Sequence, residues 1–317
     1  MQSAGDFSTI PLVDISSLIA GDAQGSRAAA AALGKAARQV GFVYVTGHGI
    51  PQPLFDGLLD AAVRFFAQPI AKKMVVYIGQ SANHRGYVPA GEEVFAAGTK
   101  DAKEAFDLSI DLPSDDPAVS ETPMLGPNQW PDLPDFKSQV AAYYDAVFAV
   151  GRALIRGFAM ALGEAPDFFD PYITKPPSQL RLIHYPFNRN ATDAIGIGAH
   201  SDYECFTLLY STSPGLEVMN GSGQWIDAPP VPGALTINIG DLLELWTTAN
   251  SPPPPTACAG CKRSVTRSRC SSWSITGRRS PRSTASRGAR DPSAGAWSPA
   301  SISSPRLPRA LATWSSG

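Results

Sequence analysis

Between Gln179 and Leu245 the chain breaks into short apolar runs separated by Gly, Pro and Asn: Leu180 to Tyr185, Thr207 to Tyr210, Leu216 to Met219, Trp225 to Ala228 and Ala234 to Ile239. Runs of four to six residues have the length of strands rather than helices. Several strands in succession with turn residues between them point to a sandwich or a jelly roll. The text before this region differs. Ile10 to Ile15 reads as a short strand, Ser26 to Val40 as an Ala-rich helix, Gly41 to Val45 as a buried strand and Pro53 to Ala67 as a second helix. Residues 69–133 read as loop-rich, with Pro and Gly punctuation. Asp135 to Leu162 carries the longest amphipathic pattern, with Val140, Tyr143, Tyr144, Val147, Val150, Leu154, Phe158 and Leu162 on one face, which suits a helix backing a sheet.

Charge divides the chain more sharply than length does. The 317 residues suffice for one large domain with an added helical layer or for two modest ones. Up to Asn250 there are 15 Lys and Arg against 27 Asp and Glu, a net −12, whereas residues 251–317 hold 11 basic residues against the single acid Asp291, a net +10. Three of the four cysteines, Cys258, Cys261 and Cys270, lie in that tail, and Cys205 is the one left in the body, so a disulfide framework is not expected. The first residues show no basic stretch followed by an apolar one, and no apolar run approaches a membrane span. A cytoplasmic protein is expected, with no membrane and no nucleic-acid partner.

Within the strand-rich region, His200 and Asp202 stand one residue apart. Residues i and i+2 of an extended strand share a face, so imidazole and carboxylate converge on one point. They supply two of the three donors of the 2-His-1-carboxylate set that holds non-haem Fe(II). A strand-end His bonded to a nearby Asp is the structural alternative. The chain has four histidines, His48, His84, His184 and His200, so no distal third ligand follows. His48 sits in a Gly-flanked turn, where capping or packing is the expected role.

The surrounding text resembles the iron(II)/2-oxoglutarate-dependent dioxygenase superfamily in its isopenicillin N synthase-like branch. The resemblance is carried by Ile10 to Ile15, Gly41 to Pro51, Phe65 and Phe66, Arg85 to Tyr87, Gln179 to Pro186, the His200-x-Asp202 pair, Thr207 to Leu209, Pro214 to Val218, Gly223 to Trp225 and Pro232 to Thr247. It implies a mainly β fold with flanking helices around a double-stranded β-helix (jelly roll) core, here truncated of its last strands. Three regions are expected: an N-terminal α/β region over 1–133, the backing helix and incomplete core over 134–250, and a disordered basic tail over 251–317. The implied function is oxidation of a small-molecule substrate with Fe(II), O2 and 2-oxoglutarate, releasing succinate and CO2. Oxidative cyclisation or ethylene formation is the alternative chemistry, and a non-catalytic relative acting through its basic tail the alternative class.

By resemblance His200 and Asp202 are the metal ligands. His184 falls where many relatives place a Tyr that hydrogen-bonds the 2-oxoglutarate carboxylate, with a packed strand His as the alternative. Arg85 and Tyr87 belong to a segment that lies over the active-site mouth in relatives, where they would touch substrate unless they are ordinary surface-loop residues. Arg181 either lines the pocket or pairs with a surface acid, the latter being favoured. Asn238 and Asp241 belong to a turn.

The tail has a second explanation in the genetic code. The family text stops after Trp246 and Thr247. With one base missing inside the codon for Thr248, the degenerate code permits in the offset frame a His across Pro255 and Thr256 followed by Arg-Val, a Glu-Arg-Tyr-Ser across Ser264 to Arg267, and an apolar Leu-Phe-Phe-Val-Val run across Cys270 onward. Those are the distal iron His and the Arg-x-Ser pair that grips 2-oxoglutarate in the family. As written, the chain lacks all three and is expected to be inactive. Cys258 and Cys261 form a lone C-x-x-C with no second pair to complete a zinc site.

Overall fold

A computed structural model describes residues 6–92, 103–186, 204–240 and Leu243, together with the backbone of 195–200, 266–269 and 273–277. The chain opens with β1 (Leu12–Asp14), α1 (Ser16–Ala20) and α2 (Ala23–Gln39). Asp22 starts α2 by accepting the Gly25 amide at 2.7 Å, which satisfies one of the amides that a helix leaves open at its first turn. β2 (Phe42–Thr46) pairs in parallel with β1. It leads through Gly47 and Gly49, both left-handed at φ +68° and +72°, into α3 (Gln52–Phe66). These two positions need the freedom that only glycine has without strain.

The region read as loops holds α4 (Ile70–Lys73), β3 (Gly86–Val88), β4 (Glu104–Ser109) and α5 (Pro117–Glu121). All six residues of β4 are buried. Its two acids, Glu104 and Asp107, made it look polar, and both are neutralised by cations brought from other elements. After α6 (Phe136–Ala161) come β5 (Gln179–His184), β6 (Ile195–His200), β7 (Phe206–Ser211), β8 (Leu216–Met219), β9 (Trp225–Asp227) and β10 (Leu235–Ile239). All but β6 match the apolar runs of the sequence closely, because turn residues bound those runs.

Two further strands, β11 (Thr266–Arg269) and β12 (Trp273–Gly277), fall within the region read as a tail, the rest of which lies outside the described residues. β12 lies antiparallel between β5 and β7, and β11 antiparallel between β6 and β8. The physical reason is that a gap between two strands offers unpaired N–H and C=O groups on both sides. Ladder pairing is made by backbone groups, so it does not require the apolar alternation by which strands are recognised in a sequence.

The strands form an eight-stranded sheet in the order β1-β2-β10-β7-β12-β5-β4-β3 and a four-stranded sheet in the order β6-β11-β8-β9. Strands from both sides of residue 133 share the larger sheet, so that boundary does not separate two sheets. These elements belong to one unit, Met1–Pro281; the second, Arg282–Gly317, lies outside the described residues. No helix among the described residues is long and apolar enough to cross a membrane.

Alternation assigns the two faces of the large sheet. Val43, Val45, Leu182, Leu208, Leu235, Ile237 and Phe106 share one apolar cluster with Leu33, Leu58, Phe65, Phe136, Leu154 and Phe158 of the helices. That face is the one α2, α3 and α6 cover. Phe42, one residue off in register, packs instead with Val218 and Ile226 of the small sheet, which makes its face the interior between the sheets. By register Phe42 shares that face with Asn238, Thr207, Arg181 and Asp107. That face thus carries polar side chains beside apolar ones.

Candidate active site

β6 runs in extended form to His200, which pairs with Thr266 of β11. The His200 side chain and the whole of Asp202 lie outside the described residues. An imidazole and a carboxylate form a donor set suited to Fe(II). Two of the other three histidines, His48 and His184, are held by other partners. His48 accepts the Ile50 amide at 3.1 Å through Nδ1 and packs edge-on to Phe55, the turn role expected of it. Burial holds its pKa below the ordinary imidazole value against an opposing hydrogen bond with the Gly233 backbone. His84 sits in a turn with φ +58°, and His184 is part of a charge cluster described next. Among the described residues no three His, Cys, Asp or Glu side chains gather to hold a metal.

His184 and Glu104 are direct neighbours across β5 and β4. His184 Nδ1 lies 2.8 Å from Glu104 Oε1, while Lys73 of α4 and the Tyr87 hydroxyl of β3 approach Oε2 at 2.6 and 2.5 Å. Lys73 also donates to the Phe66 carbonyl at 3.1 Å, and the Phe66 ring lies 5.4 Å from the imidazole. By register His184 shares the helix face with Leu180 and Leu182, opposite to the interior. A contact between His184 and 2-oxoglutarate requires the interior face, so the packed alternative is the role its geometry supports. Tyr87, on the far side of β4, is 1 % exposed; burial and the Glu104 hydrogen bond push its phenol pKa upward.

Burial pushes Glu104 up, but hydrogen bonds from His184, Lys73 and Tyr87 together with the charge of Lys73 outweigh it, and the carboxyl stays below its ordinary 4.5. A carboxylate depressed in the folded state stabilises the fold above its unfolded pKa and loses that contribution as pH falls through the unfolded and then the folded value. Urea unfolding of the full chain is therefore expected to show stability falling from about pH 5 downward, and Glu104→Gln should flatten that slope. Equal slopes in both proteins would assign the acid sensitivity to other carboxylates.

Arg85 is fully buried. Its terminal nitrogens donate to the carbonyls of Asn83 (2.7 Å), His84 (3.1 Å) and Met124 (2.5 Å), tying the segment before β3 to the chain after α5. Arg85 Nε has no partner among the described residues. Gly86 beside it has φ +116°, and a Cβ there would lie 2.1 Å from the Val76 carbonyl oxygen. Arg181 pairs with a buried acid rather than a surface one: Nε and one terminal nitrogen reach the two oxygens of Asp107 at 2.7 and 2.6 Å. Its side chain is 4 % exposed and that of Asp107 1 %. Gln179, the first residue of β5, is 3 % exposed, and neither polar atom of its amide has a partner among the described residues. A buried amide left so costs about 1–3 kcal/mol per unpaired group. Glu104, Asp107, Lys73 and Gln179 escaped sequence reading; the usable signal was two acids inside an otherwise apolar segment. Beyond Asp202, Gly240 donates to the Cys205 carbonyl at 3.0 Å, and a Cβ on Gly240 would lie 1.8 Å from the Glu204 carbonyl oxygen, so only glycine fits behind that segment.

Comparison with known proteins agrees with this architecture. Residues 10–133 match the family model described as non-haem dioxygenase in morphine synthesis N-terminal, and residues 176–281 match that of the 2OG-Fe(II) oxygenase superfamily. A soybean (Glycine max) homoarginine-6-hydroxylase is 37% identical over 261 residues, covering 77% of this chain and 78% of that protein. An Emericella nidulans 2-oxoglutarate-Fe(II) type oxidoreductase is 36% identical over 214 residues, covering 64% and 61%. Among solved structures, a Caulobacter crescentus putative 2OG-Fe(II) oxygenase family protein superposes with a TM-score of 0.71 at 30% identity, covering 86% of this chain and 87% of the other. A full-length Neurospora crassa protein solved in complex with alpha-KG superposes with a TM-score of 0.71 at 26% identity, covering 87% of each. These matches over both halves carry one conclusion: the chain belongs to the 2OG-Fe(II) oxygenase superfamily, whose members use Fe(II), 2-oxoglutarate and O2.

Proposed function

We propose that this protein is, in its intact reading frame, an oxygenase that oxidises a small organic molecule while 2-oxoglutarate becomes succinate and CO2. The observation carrying this reading is the extended β6 ending at His200, two residues before Asp202, inside a family match that runs to residue 281. His200 and Asp202 would hold the iron. When bound, the iron supplies the activation of O2 that couples decarboxylation of the cosubstrate to substrate oxidation. The protein orients the reactants: the large sheet presents its interior face to the substrate, and the helices packed on its other face keep it rigid. Related structures indicate the scale of molecule involved, since the Neurospora crassa protein has been crystallised with thymine and with 5-formyluracil.

The chain as written has one donor too few for the three-ligand set, because no His follows Asp202 and His48 and His184 are held elsewhere in the fold. We therefore include in the proposal that one base is missing at codon 248. Restoring it should give a protein that consumes O2 and forms succinate from 2-oxoglutarate when Fe(II) is present, whereas the chain as written should show little or none. Oxygen uptake and succinate assays on the two proteins side by side decide this. A restored protein that binds neither Fe(II) nor 2-oxoglutarate would remove the proposed function.

A further inference from the structure

We propose that Gly240 is a positioning residue for the metal ligand Asp202: the space left by its missing side chain seats the peptide of Glu204, two residues after that carboxylate. This rests on the oxygenase reading above and concerns the same metal site.

Three observations carry it. β10 and β7 pair as far as Ile239 and Phe206, and the Gly240 amide adds one more rung by donating to the Cys205 carbonyl at 3.0 Å. The chain leaving the His200-x-Asp202 pair is thus tied to the end of β10 before it enters β7. A Cβ on Gly240 would lie 1.8, 2.7 and 3.1 Å from the carbonyl oxygen, carbonyl carbon and amide nitrogen of Glu204. All three are backbone atoms, so no side-chain rotation relieves the clash, and an added methyl group has to push the peptide away by more than about 1 Å to reach ordinary contact. Gly240 is not among the glycines with positive φ, so the position requires room rather than backbone freedom. Since β7 is held by its ladder with β10 from Phe206 onward, the displacement is taken up on the other side of Glu204, where Asp202 stands. A metal ligand has to be held within about 0.5 Å of its working position, so a shift of that size weakens binding.

The test uses the frame-restored chain with Co(II) as the probe in place of Fe(II), because its visible absorption reports the geometry of the ligands. Gly240→Ala is expected to bind Co(II) about 10–100-fold more weakly than wild type, with an altered spectrum. Gly223→Ala is the control: Gly223 is left-handed at φ +82° with nothing within 4 Å of its Cβ position, so this variant loses stability through backbone strain and keeps the wild-type affinity and spectrum. A merely structural Gly240 would lower the melting temperature in the same way and leave the metal parameters alone. In the restored wild type, Zn(II) should slow hydrogen exchange of the Gly240 amide, read by NMR, because a metal held by Asp202 also steadies the peptide that accepts from that amide. This second measurement decides the matter even where Gly240→Ala does not fold. The inference is overturned by a folded Gly240→Ala with wild-type affinity and spectrum, or by Gly240 exchange that Zn(II) leaves unchanged. A restored wild type that binds no Co(II) removes the oxygenase reading and this inference with it, whereas metal binding that ignores Gly240 removes the inference alone.

Discussion

Asp107→Ala is expected to destabilise the protein by about 3–5 kcal/mol, among the largest effects of any single substitution away from the metal ligands. Asp107 holds two nitrogens of Arg181 at 2.6 and 2.7 Å, and both side chains are almost wholly buried. Removing the carboxylate leaves a guanidinium between the sheets that cannot lose its proton and has lost its counter-charge. Breaking a buried pair from one side costs far more than replacing both partners. The double variant Asp107→Leu with Arg181→Met should therefore recover most of the loss. Urea denaturation midpoints of wild type, single and double variants form the test. A single variant within about 1 kcal/mol of wild type would mean that water reaches the pair and screens it.

In the frame-restored protein, Asp202→Ala should abolish turnover. Loss of an outer partner that merely supports a metal ligand costs about 10–100-fold, and Asp202 would be the only anionic group on the iron, so its removal should exceed that range. Fe(II) affinity should fall in parallel, whereas Asp227→Ala on the exposed end of β9 should leave succinate formation as it was. Retained activity in Asp202→Ala would exclude that carboxylate from the metal site and with it the pairing of His200 and Asp202.

Most of the strands and the placement of the helices were legible in the order of the residues alone. β8 over Leu216–Met219 matches its apolar run residue for residue, and α6 lies within the run from Asp135 to Leu162. Both can be read because their periodicity and their bounding turn residues are local properties. The ordered matches also pointed to the family, and the His200-x-Asp202 spacing to the candidate ligands. Whatever depends on partners distant in the chain had to wait for the folded molecule. β4 was hidden because its acids are balanced by Lys73, His184 and Arg181, 31, 80 and 74 residues away. The same distances explain why His184 could be read as a cosubstrate contact and Arg181 as a surface residue. A strand shows which residues share a face, but not which face looks inward until helices cover the other. β11 and β12 were illegible for a different reason: an open slot between paired strands is filled through backbone hydrogen bonds, and side-chain patterning carries little of that signal.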